Sequence, residues 1–472
     1  MYCLGILNAA TDHSGIPKSP WYYPDSFVGD TMNQKSISTK KHLNFTALRQ
    51  SFTQHLLNIE DHRVESRCTH SLHDAVMSGF ACMFFQEPTL AEFQLRMETN
   101  WNKNNLRNLF DVETIPKDTQ LRDVIDNTPS EALRPVFKDY FERLRRNKHM
   151  ESFQILPGHY LCAIDGVHHY SSEQVHCDQC LTKTHANGTV TYHHAVLQGA
   201  FMHPDKKQVI PVMPEPIANA DGHIKQDCEI NAAKRFIKKL KTDHPRLGII
   251  IVGDGLFSKA PMIRQVIKEK MHYLFVAKPG DHKYMMQWIG EFGALPEVQY
   301  KDLKGRQHRF TYMNNVPLNA KEDALQVNYV HYELTNEKGK VTYKNSWVTS
   351  IEVNDSNVIR LAKGGRCRWK IENECFNTLK NQGYHLDHNF GHGKKHLSHN
   401  MYLLTLLAFF YHQIFELTDP AYQQCRSAMR TKRFLWESFR GLIRYFIFSS
   451  WNDVMIRLMA GSVETSVLLK KS

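Results

Sequence analysis

The segment Leu247-Gly248-Ile249-Ile250-Ile251-Val252-Gly253-Asp254-Gly255 is an almost unbroken apolar run that ends at an aspartate between two glycines. Such a run is typical of a strand buried on both faces of a sheet. The same pattern occurs at Cys162-Ala163-Ile164-Asp165-Gly166, where an apolar strand is followed by one acid at the edge of a sheet. An aspartate beside a glycine is also a common turn, but two such strand ends together favour a shared site for Asp165 and Asp254.

The elements around these segments alternate between strands and helices. A helix with one apolar stripe precedes the strand at 247–252, and another helix opens at Ser258. The other runs of strand type lie at 160–165, 189–198, 208–212 and 273–277. This order of three strands, helix, strand, helix, strand predicts a ribonuclease-H-like α/β core with a mixed sheet and flanking helices.

Changes in these patterns divide the chain into six segments. The predicted segments are 1–45, a loose leader; 46–150, an N-terminal all-helical domain; 151–282, the first part of the catalytic core; 283–354, a β-rich insertion with a hairpin signature at 335–340; 355–420, the second part of the core; and 421–472, a C-terminal helical segment. Met32 is an alternative start to Met1. The basic run at 143–148 suits either a DNA-facing helix end or an ordinary solvated helix face.

The composition is that of a folded protein with an anionic partner. Lysine and arginine total 59 against 48 acidic residues, which gives a net charge of +11. Such a charge attracts polyanions, and nucleic acid is the first partner to consider. The same charge is equally consistent with a cytosolic protein that is merely basic. The ten cysteines are scattered, unlike a disulfide framework. The longest apolar stretch, 401–410, is about half of a bilayer crossing. We therefore expect a cytoplasmic protein that is neither exported nor bound to a membrane.

A third acid is expected on the helix that follows the insertion. Two divalent cations about 4 Å apart assist phosphoryl transfer to DNA, and they need converging carboxylates. Helical geometry puts Glu372 on the face of Arg368 and puts Glu374 on a solvent-facing side with Lys370. Glu372 is therefore the predicted ligand. The competing interpretation of Glu372 is a surface ion pair with Arg368, worth only about 0.3–0.5 kcal/mol.

These acids resemble those of a known family, the DDE transposases of bacterial insertion sequences, in the group sometimes called insertion-sequence-four-like. The motifs that carry the resemblance are Ala163-Ile164-Asp165-Gly166, Val252-Gly253-Asp254 and Arg368-Trp369-Lys370-Ile371-Glu372, and the resemblance spans roughly residues 70–420. The family is known for a ribonuclease-H-like core, a β insertion between its second and third acids, and a tyrosine-arginine-glutamate-lysine signature around the third.

The chain departs from that signature at two positions. The tyrosine position is Gly365, and the lysine expected seven residues after Glu372 is Leu379, with Lys380 one place later. The resemblance implies that Arg368 and Lys380 bind phosphates near the cleaved DNA end, and we include the neighbouring Trp369 in this predicted contact.

The predicted function is transposition by hydrolysis and strand transfer at the ends of an insertion sequence. A metal-activated water attacks the phosphodiester, and the released 3′ hydroxyl then attacks target DNA. Asp165, Asp254 and Glu372 would hold Mg²⁺ or Mn²⁺, as two ions. The partners would be double-stranded DNA of the element ends and of the target, with a homodimer on DNA. The alternatives are a ribonuclease-H-like nuclease that cleaves without joining, and a catalytically inactive DNA-binding protein derived from a transposase.

A second cluster lies between the first two predicted strands. Cys177 and Cys180 have the spacing of a zinc-binding pair, and His185 with His193 or His194 would complete a tetrahedral structural Zn²⁺ site. A catalytic Cys-His pair is disfavoured because no feature predicts an activated thiolate. The histidine-rich segment 385–392 also admits metal ligation, but a loop that contacts DNA or a polar turn is the preferred interpretation.

Overall fold

The computed structural model describes residues 41–459 apart from 62, 65, 67, 98–99, 220–225 and 430. Most of the predicted leader, with Met1 and Met32, and the chain after 459 lie outside the described residues.

Helices fill the described chain before the first strand. They are α1 (Phe45–Leu57), α2 (Leu72–Phe84), α3 (Leu90–Met97), α4 (Asn100–Phe110), α5 (Asp118–Asn127) and α6 (Arg134–Arg146). α6 buries an apolar stripe that includes Phe137 and Phe141. At its basic end, Arg145 pairs with Glu142 of the same helix, as in a solvated helix face.

A large mixed sheet follows, as the sequence predicts. Its strands are β1 (Gln154–Leu156), β2 (His159–Ser172), β3 (Leu181–Thr184), β4 (Val190–Met202), β5 (Ile210–Pro211), β6 (Glu215–Ile217), β7 (Gly248–Gly253), β8 (His272–Val276), β9 (Glu297–Lys301), β10 (Gln307–Pro317), β11 (Gln326–Thr335) and β12 (Val341–Thr349). The order is β3-β4-β2-β7-β8-β12-β11-β10-β9, with β1 beside β2 and with β5 and β6 beside β4. The pairs β2–β7 and β7–β8 are parallel, and the other pairs are antiparallel.

The first long strand differs from its prediction. β2 continues to Ser172, whereas the sequence pattern ends it at Asp165. Its extension contains polar residues and histidines, which mask strand character, yet it stays paired with β4. The parallel pairing with β7 stops earlier, at Ala163 opposite Val252. Asp165 therefore lies inside a strand but at the edge of the parallel part of the sheet.

The β-rich segment after β8 continues the same sheet. β12 pairs with β8, with Val348 opposite Phe275, so the four strands β9–β12 extend the sheet on that side. The predicted hairpin is present as β11 and β12, which flank 336–340.

The remaining helices include one at the centre of the protein. They are α7 (Glu229–Asp243), α8 (Ala260–Lys268), α9 (Lys283–Glu291), α10 (Val358–Arg366), α11 (Asn377–Asn381), α12 (Leu397–Thr418), α13 (Pro420–Ala428), α14 (Lys432–Tyr445) and α15 (Trp451–Met459), with a π-helical turn at Ile371–Phe376. α12 is buried along most of its length and packs against α2, α5 and β5, which joins the N-terminal helices and the sheet in one core. None of the helices within the described ranges has the length and apolarity needed to cross a membrane.

Candidate active site

The register of two parallel strands brings the first two predicted acids together. Ala163 of β2 lies opposite Val252 of β7, and Asp165 and Asp254 each come two residues later, just past the point where the parallel pairing of the two strands ends. Neighbouring strands are about 4.8 Å apart, so the backbones that carry the two acids are close to each other. The expectation that these two strands are neighbours is confirmed. Local hydrogen bonds orient both side chains, since Asp165 accepts from the N–H of Gly166 at 3.0 Å and Asp254 from that of Leu256 at 2.8 Å.

Arg368 connects the third predicted acid to the first. Its guanidinium is 2.7 Å from Glu372 Oε1 and 3.2 Å from Asp165 Oδ2. The ion pair between Arg368 and Glu372, which the sequence offers as the competing interpretation, is thus present. It does not stand alone on the surface, because the same arginine also contacts the acid on β2. Glu372 and Asp165 consequently lie on either side of one guanidinium.

A fourth carboxylate, Glu229, lies beside these acids and was missed by the sequence analysis. It is in the first turn of α7, and a Cβ atom added to Gly166 would come within 2.3 Å of its Oε1 atom. The absence of a side chain at Gly166 therefore lets Glu229 approach the strand that carries Asp165. Burial and the charge of Asp254 raise the pKa of Glu229. An acid in the first turn of a helix is common for dipole reasons alone, so the sequence did not distinguish this one.

The electrostatics of the cluster suit a cation. Burial raises the pKa of Asp165 to about 6, a rise that Arg368 opposes and that Glu372 and Glu229 increase. Carboxylates that raise one another's pKa are stabilised by a nearby positive charge. Carboxylate oxygens are also the preferred ligands of hard divalent ions. The donor set therefore fits a hard divalent cation.

The helix that carries Glu372 has an irregularity that bears on Lys380. Ile371–Phe376 forms a π-helical turn, which takes up one extra residue. Because of this extra residue, Lys380 is rotated relative to Glu372, eight residues before it, about as far as a residue seven positions away would be in a regular helix. That rotation is about 20°. Lys380 is near enough to His168 on β2 to lower the pKa of that imidazole, second to the effect of burial. Its ammonium group is 3.3 Å from Asp387 Oδ1.

The other signature positions have distinct surroundings. At Gly365, an added Cβ atom would lie 2.4 Å from the indole nitrogen of Trp347, so the buried Trp347 ring fills the space of a larger side chain. Trp369 is 44% exposed and remains available for contact. Lys370, predicted on a solvent-facing side, is instead buried and donates to the backbone carbonyls of 203, 204 and 206.

The predicted zinc ligands divide into two groups. Cys177 and Cys180 lie close together, but His185 hydrogen-bonds to Thr191 and His193 stacks on His168, and neither joins the cysteines. The predicted ligand set is wrong in these two histidines. His185 is near the tip of the β3–β4 hairpin. His193 faces the opposite side of β4 from His194, because successive residues of a strand point to opposite faces.

Two other histidines approach the cysteine pair. The group consists of Cys177, Cys180, His194 and His392. His194 was the alternative to His193, whereas His392 belongs to the segment interpreted as a DNA loop or polar turn. Burial raises the pKa of the Cys180 thiol to about 11 and lowers that of His194 to about 4. These shifts disfavour a thiolate–imidazolium pair, in agreement with the sequence argument against a catalytic cysteine.

Comparison with known proteins identifies the class of domain. Residues 207–410 match the family model described as the transposase DDE domain. This match covers less than half of the chain and makes residues 207–410 similar to a transposase DDE domain. It supports an enzyme of DNA transposition. The matched range includes Asp254, Arg368, Glu372 and Lys380 and begins after Asp165.

Two further comparisons were made. A search of curated proteins found no match. Among solved structures, the cryo-EM structure of the piggyBac transposase synaptic complex with hairpin DNA aligns over 92% of this chain and 84% of that chain, with 9% identity and a TM-score of 0.39.

Proposed function

We propose that this DDE enzyme cleaves the DNA at the ends of an insertion sequence and joins them to target DNA, with Asp165, Asp254 and Glu372 as its catalytic acids. The observation that supports the proposal is that Asp165 and Asp254 follow aligned positions of two neighbouring strands, while Arg368 contacts both Asp165 and Glu372. Two of them fall within the matched DDE domain.

The three acids would hold two divalent ions, Mg²⁺ or Mn²⁺, with Glu229 beside them. When bound, such ions activate the attacking oxygen and stabilise the leaving one. In the first reaction, water attacks the phosphorus, the bond to the 3′ oxygen breaks, and a 3′ hydroxyl is released. In the second, that hydroxyl attacks a target phosphodiester and displaces its 3′ oxygen. No covalent bond to the protein is formed.

DNA binding would use positive groups beside the acids. Arg368 lies between two carboxylates, and it can turn to a phosphate once metal ions neutralise those acids. Lys380 and the exposed Trp369 would add further contacts with DNA. The partners are double-stranded DNA of the element ends and of the target, bound by a homodimer.

The finer classification belongs to the same proposal. The strands β1–β6 are followed by α7, β7, α8 and β8, and β2 lies between β4 and β7 in the sheet. This arrangement supports a ribonuclease-H-like core in 151–282 and 355–420. The segment 283–354 would be the β-rich insertion of the insertion-sequence-four-like group. The helical segments 46–150 and 421–472 would flank this core.

Substitution of each acid tests the proposal. The substrate is DNA that carries the inverted repeats flanking this reading frame, incubated with the full chain and magnesium. Asp165→Asn, Asp254→Asn and Glu372→Gln should each abolish cleavage while leaving DNA binding nearly intact. Glu374→Gln is the matched control, two residues from Glu372, and should cleave normally. Substantial cleavage by Asp254→Asn, or loss of cleavage in Glu374→Gln with activity retained in Glu372→Gln, would overturn the assignment.

A joining assay separates the proposed reaction from its alternatives. Pre-cleaved ends with a free 3′ hydroxyl are supplied together with a supercoiled target. A transposase should produce joined products, whereas a nuclease would leave the ends unjoined. An inactive DNA-binding protein would fail to nick cognate DNA in magnesium as well.

A further inference from the structure

A group of four side chains away from the acids has the geometry of a tetrahedral metal site. The Sγ atoms of Cys177 and Cys180 are 3.9 Å apart, and His194 Nε2 is 3.6 and 3.5 Å from them. His392 Nε2 is 3.3 Å from Cys180 Sγ and 3.1 Å from His194 Nε2. The ligand atoms of all four residues lie within 4.8 Å of one another.

Five of the six distances between ligand atoms match the edges of a zinc tetrahedron, and the sixth, between Cys177 and His392, is within 4.8 Å. With Zn–S near 2.3 Å and Zn–N near 2.0–2.1 Å, the expected separations are about 3.8 Å between sulfurs, about 3.5 Å between sulfur and nitrogen, and about 3.3 Å between nitrogens. The five separations given above each differ from the expected value by about 0.2 Å or less. A disulfide does not explain the pair, because its sulfurs would lie about 2.05 Å apart.

The orientation of the ligands is also fixed by the protein. His392 Nδ1 lies 2.7 Å from the carbonyl oxygen of Gly393, to which it donates, so the lone pair of its Nε2 atom faces the cluster. The N–H of Cys180 donates to the carbonyl of Cys177, which makes the tight turn that presents both sulfurs. Cys180 and His392 are buried, and their side chains are thus held in place.

We infer that Cys177, Cys180, His194 and His392 bind one structural zinc ion. The ion would link the turn before β3, the strand β4 and the segment that leads into α12. His392 is 198 residues away from His194 in sequence, so the ion would fasten the segment after Lys380 to the sheet. Asp126 holds the same segment from the other side, by accepting from the backbone N–H groups of 394–397.

The zinc site is separate from the catalytic acids. Asp165 lies opposite Gln198 on β4, and His194 comes four residues before Gln198 in the same strand. Four residues of strand span about 13 Å, which is too far for one ion to serve both sites. The proposed zinc therefore stabilises structure and takes no part in bond breaking.

Metal analysis of the full chain tests this inference. The wild-type protein, purified without chelator, should contain about one zinc per chain, and Cys177→Ser and His392→Ala should each reduce this to less than about a tenth. His185→Ala and His193→Ala are matched controls and should keep the zinc. Protein without zinc, or zinc retained in both ligand variants, would overturn the inference.

A second measurement covers variants that fold poorly. Cobalt added to metal-free wild-type protein should give the absorption of a tetrahedral thiolate site, and zinc should displace it; an octahedral spectrum would contradict the site. The Asp254→Asn variant should retain its zinc, so a failure of the proposed catalytic function is distinguishable from a failure of the zinc site.

Discussion

At the scale of single residues, the position of each acid has a physical cause. Asp165 and Asp254 follow aligned positions of two parallel strands, and Glu229 approaches the strand of Asp165 because Gly166 has no side chain. Arg368 offsets part of the negative charge. Divalent ions would offset the negative charge that Arg368 leaves. We therefore expect the carboxylates to differ in how strongly their removal weakens metal binding.

Glu229 is predicted to support metal capture. Removing its charge by Glu229→Gln should raise the magnesium concentration needed for half-maximal cleavage about 10- to 100-fold, the usual cost of losing a group next to metal ligands. Gly166→Ala should act in the same direction, since its added methyl group would displace the Glu229 carboxylate. Magnesium titration of single-turnover cleavage measures both, with Glu374→Gln as the control. Unchanged magnesium dependence in Glu229→Gln would exclude this role.

At the scale of elements, the π-helical turn resolves an apparent mismatch. The eight-residue interval between Glu372 and Lys380 is one residue longer than the family signature, and Ile371–Phe376 takes up that residue. Such turns are rare and often occur at functional sites. Lys380 then lies near enough to β2 to lower the pKa of His168.

Lys380 is predicted to bind phosphate rather than take part in hydrolysis. Lys380→Ala should weaken binding of the element end and reduce the slope of its salt dependence by about one, the share of one phosphate contact. Asp387→Asn frees the ammonium group from its ion pair and should strengthen end binding. Binding is measured over a range of salt concentrations, and hydrolysis in single turnover at saturating protein. A larger effect of Lys380→Ala on hydrolysis than on binding would contradict this role.

The sequence predicted the elements whose patterns are local. The apolar run at 247–252 gave β7, and the hairpin signature gave β11 and β12. The polar half of β2 was missed because its stability comes from pairing with β4 rather than from apolar alternation. His392 could not be assigned to the cysteine pair, because sequence spacing carries no information about contacts across 198 residues.

At the scale of the whole molecule, helices and sheet share one apolar core. α12 packs against α2 and α5 on one side and against β5 on the other. Aromatic rings make a second junction between α6 and the sheet. There the His244 ring lies 4.3 Å from that of Phe141 and 5.9 Å from that of Phe201, measured between ring centres. The buried imidazole of His244 at this junction titrates near neutral pH when the chain is unfolded.

His244 is predicted to make the protein less stable in acid. Burial lowers the pKa of its imidazole to about 4 in the folded state, against 6.5 for an exposed histidine. Between pH 6.5 and 4 the unfolded chain therefore binds a proton that the folded chain does not, so the free energy of unfolding falls as the pH falls. From pH 7 to pH 5 this group should account for a loss of about 2 kcal/mol.

The measurement compares urea unfolding of wild type and His244→Gln at pH 7 and pH 5. The variant loses its ring contacts with Phe141 and Phe201 and should be less stable at pH 7. Its further loss on acidification should nevertheless be smaller than that of wild type by about 2 kcal/mol, because glutamine does not titrate. His185→Gln, at an exposed position, is the matched control and should follow the wild-type pH dependence. If His244→Gln loses as much stability as wild type between the two pH values, the imidazole is not held neutral at this junction, and the acid sensitivity must come from other buried histidines such as His412.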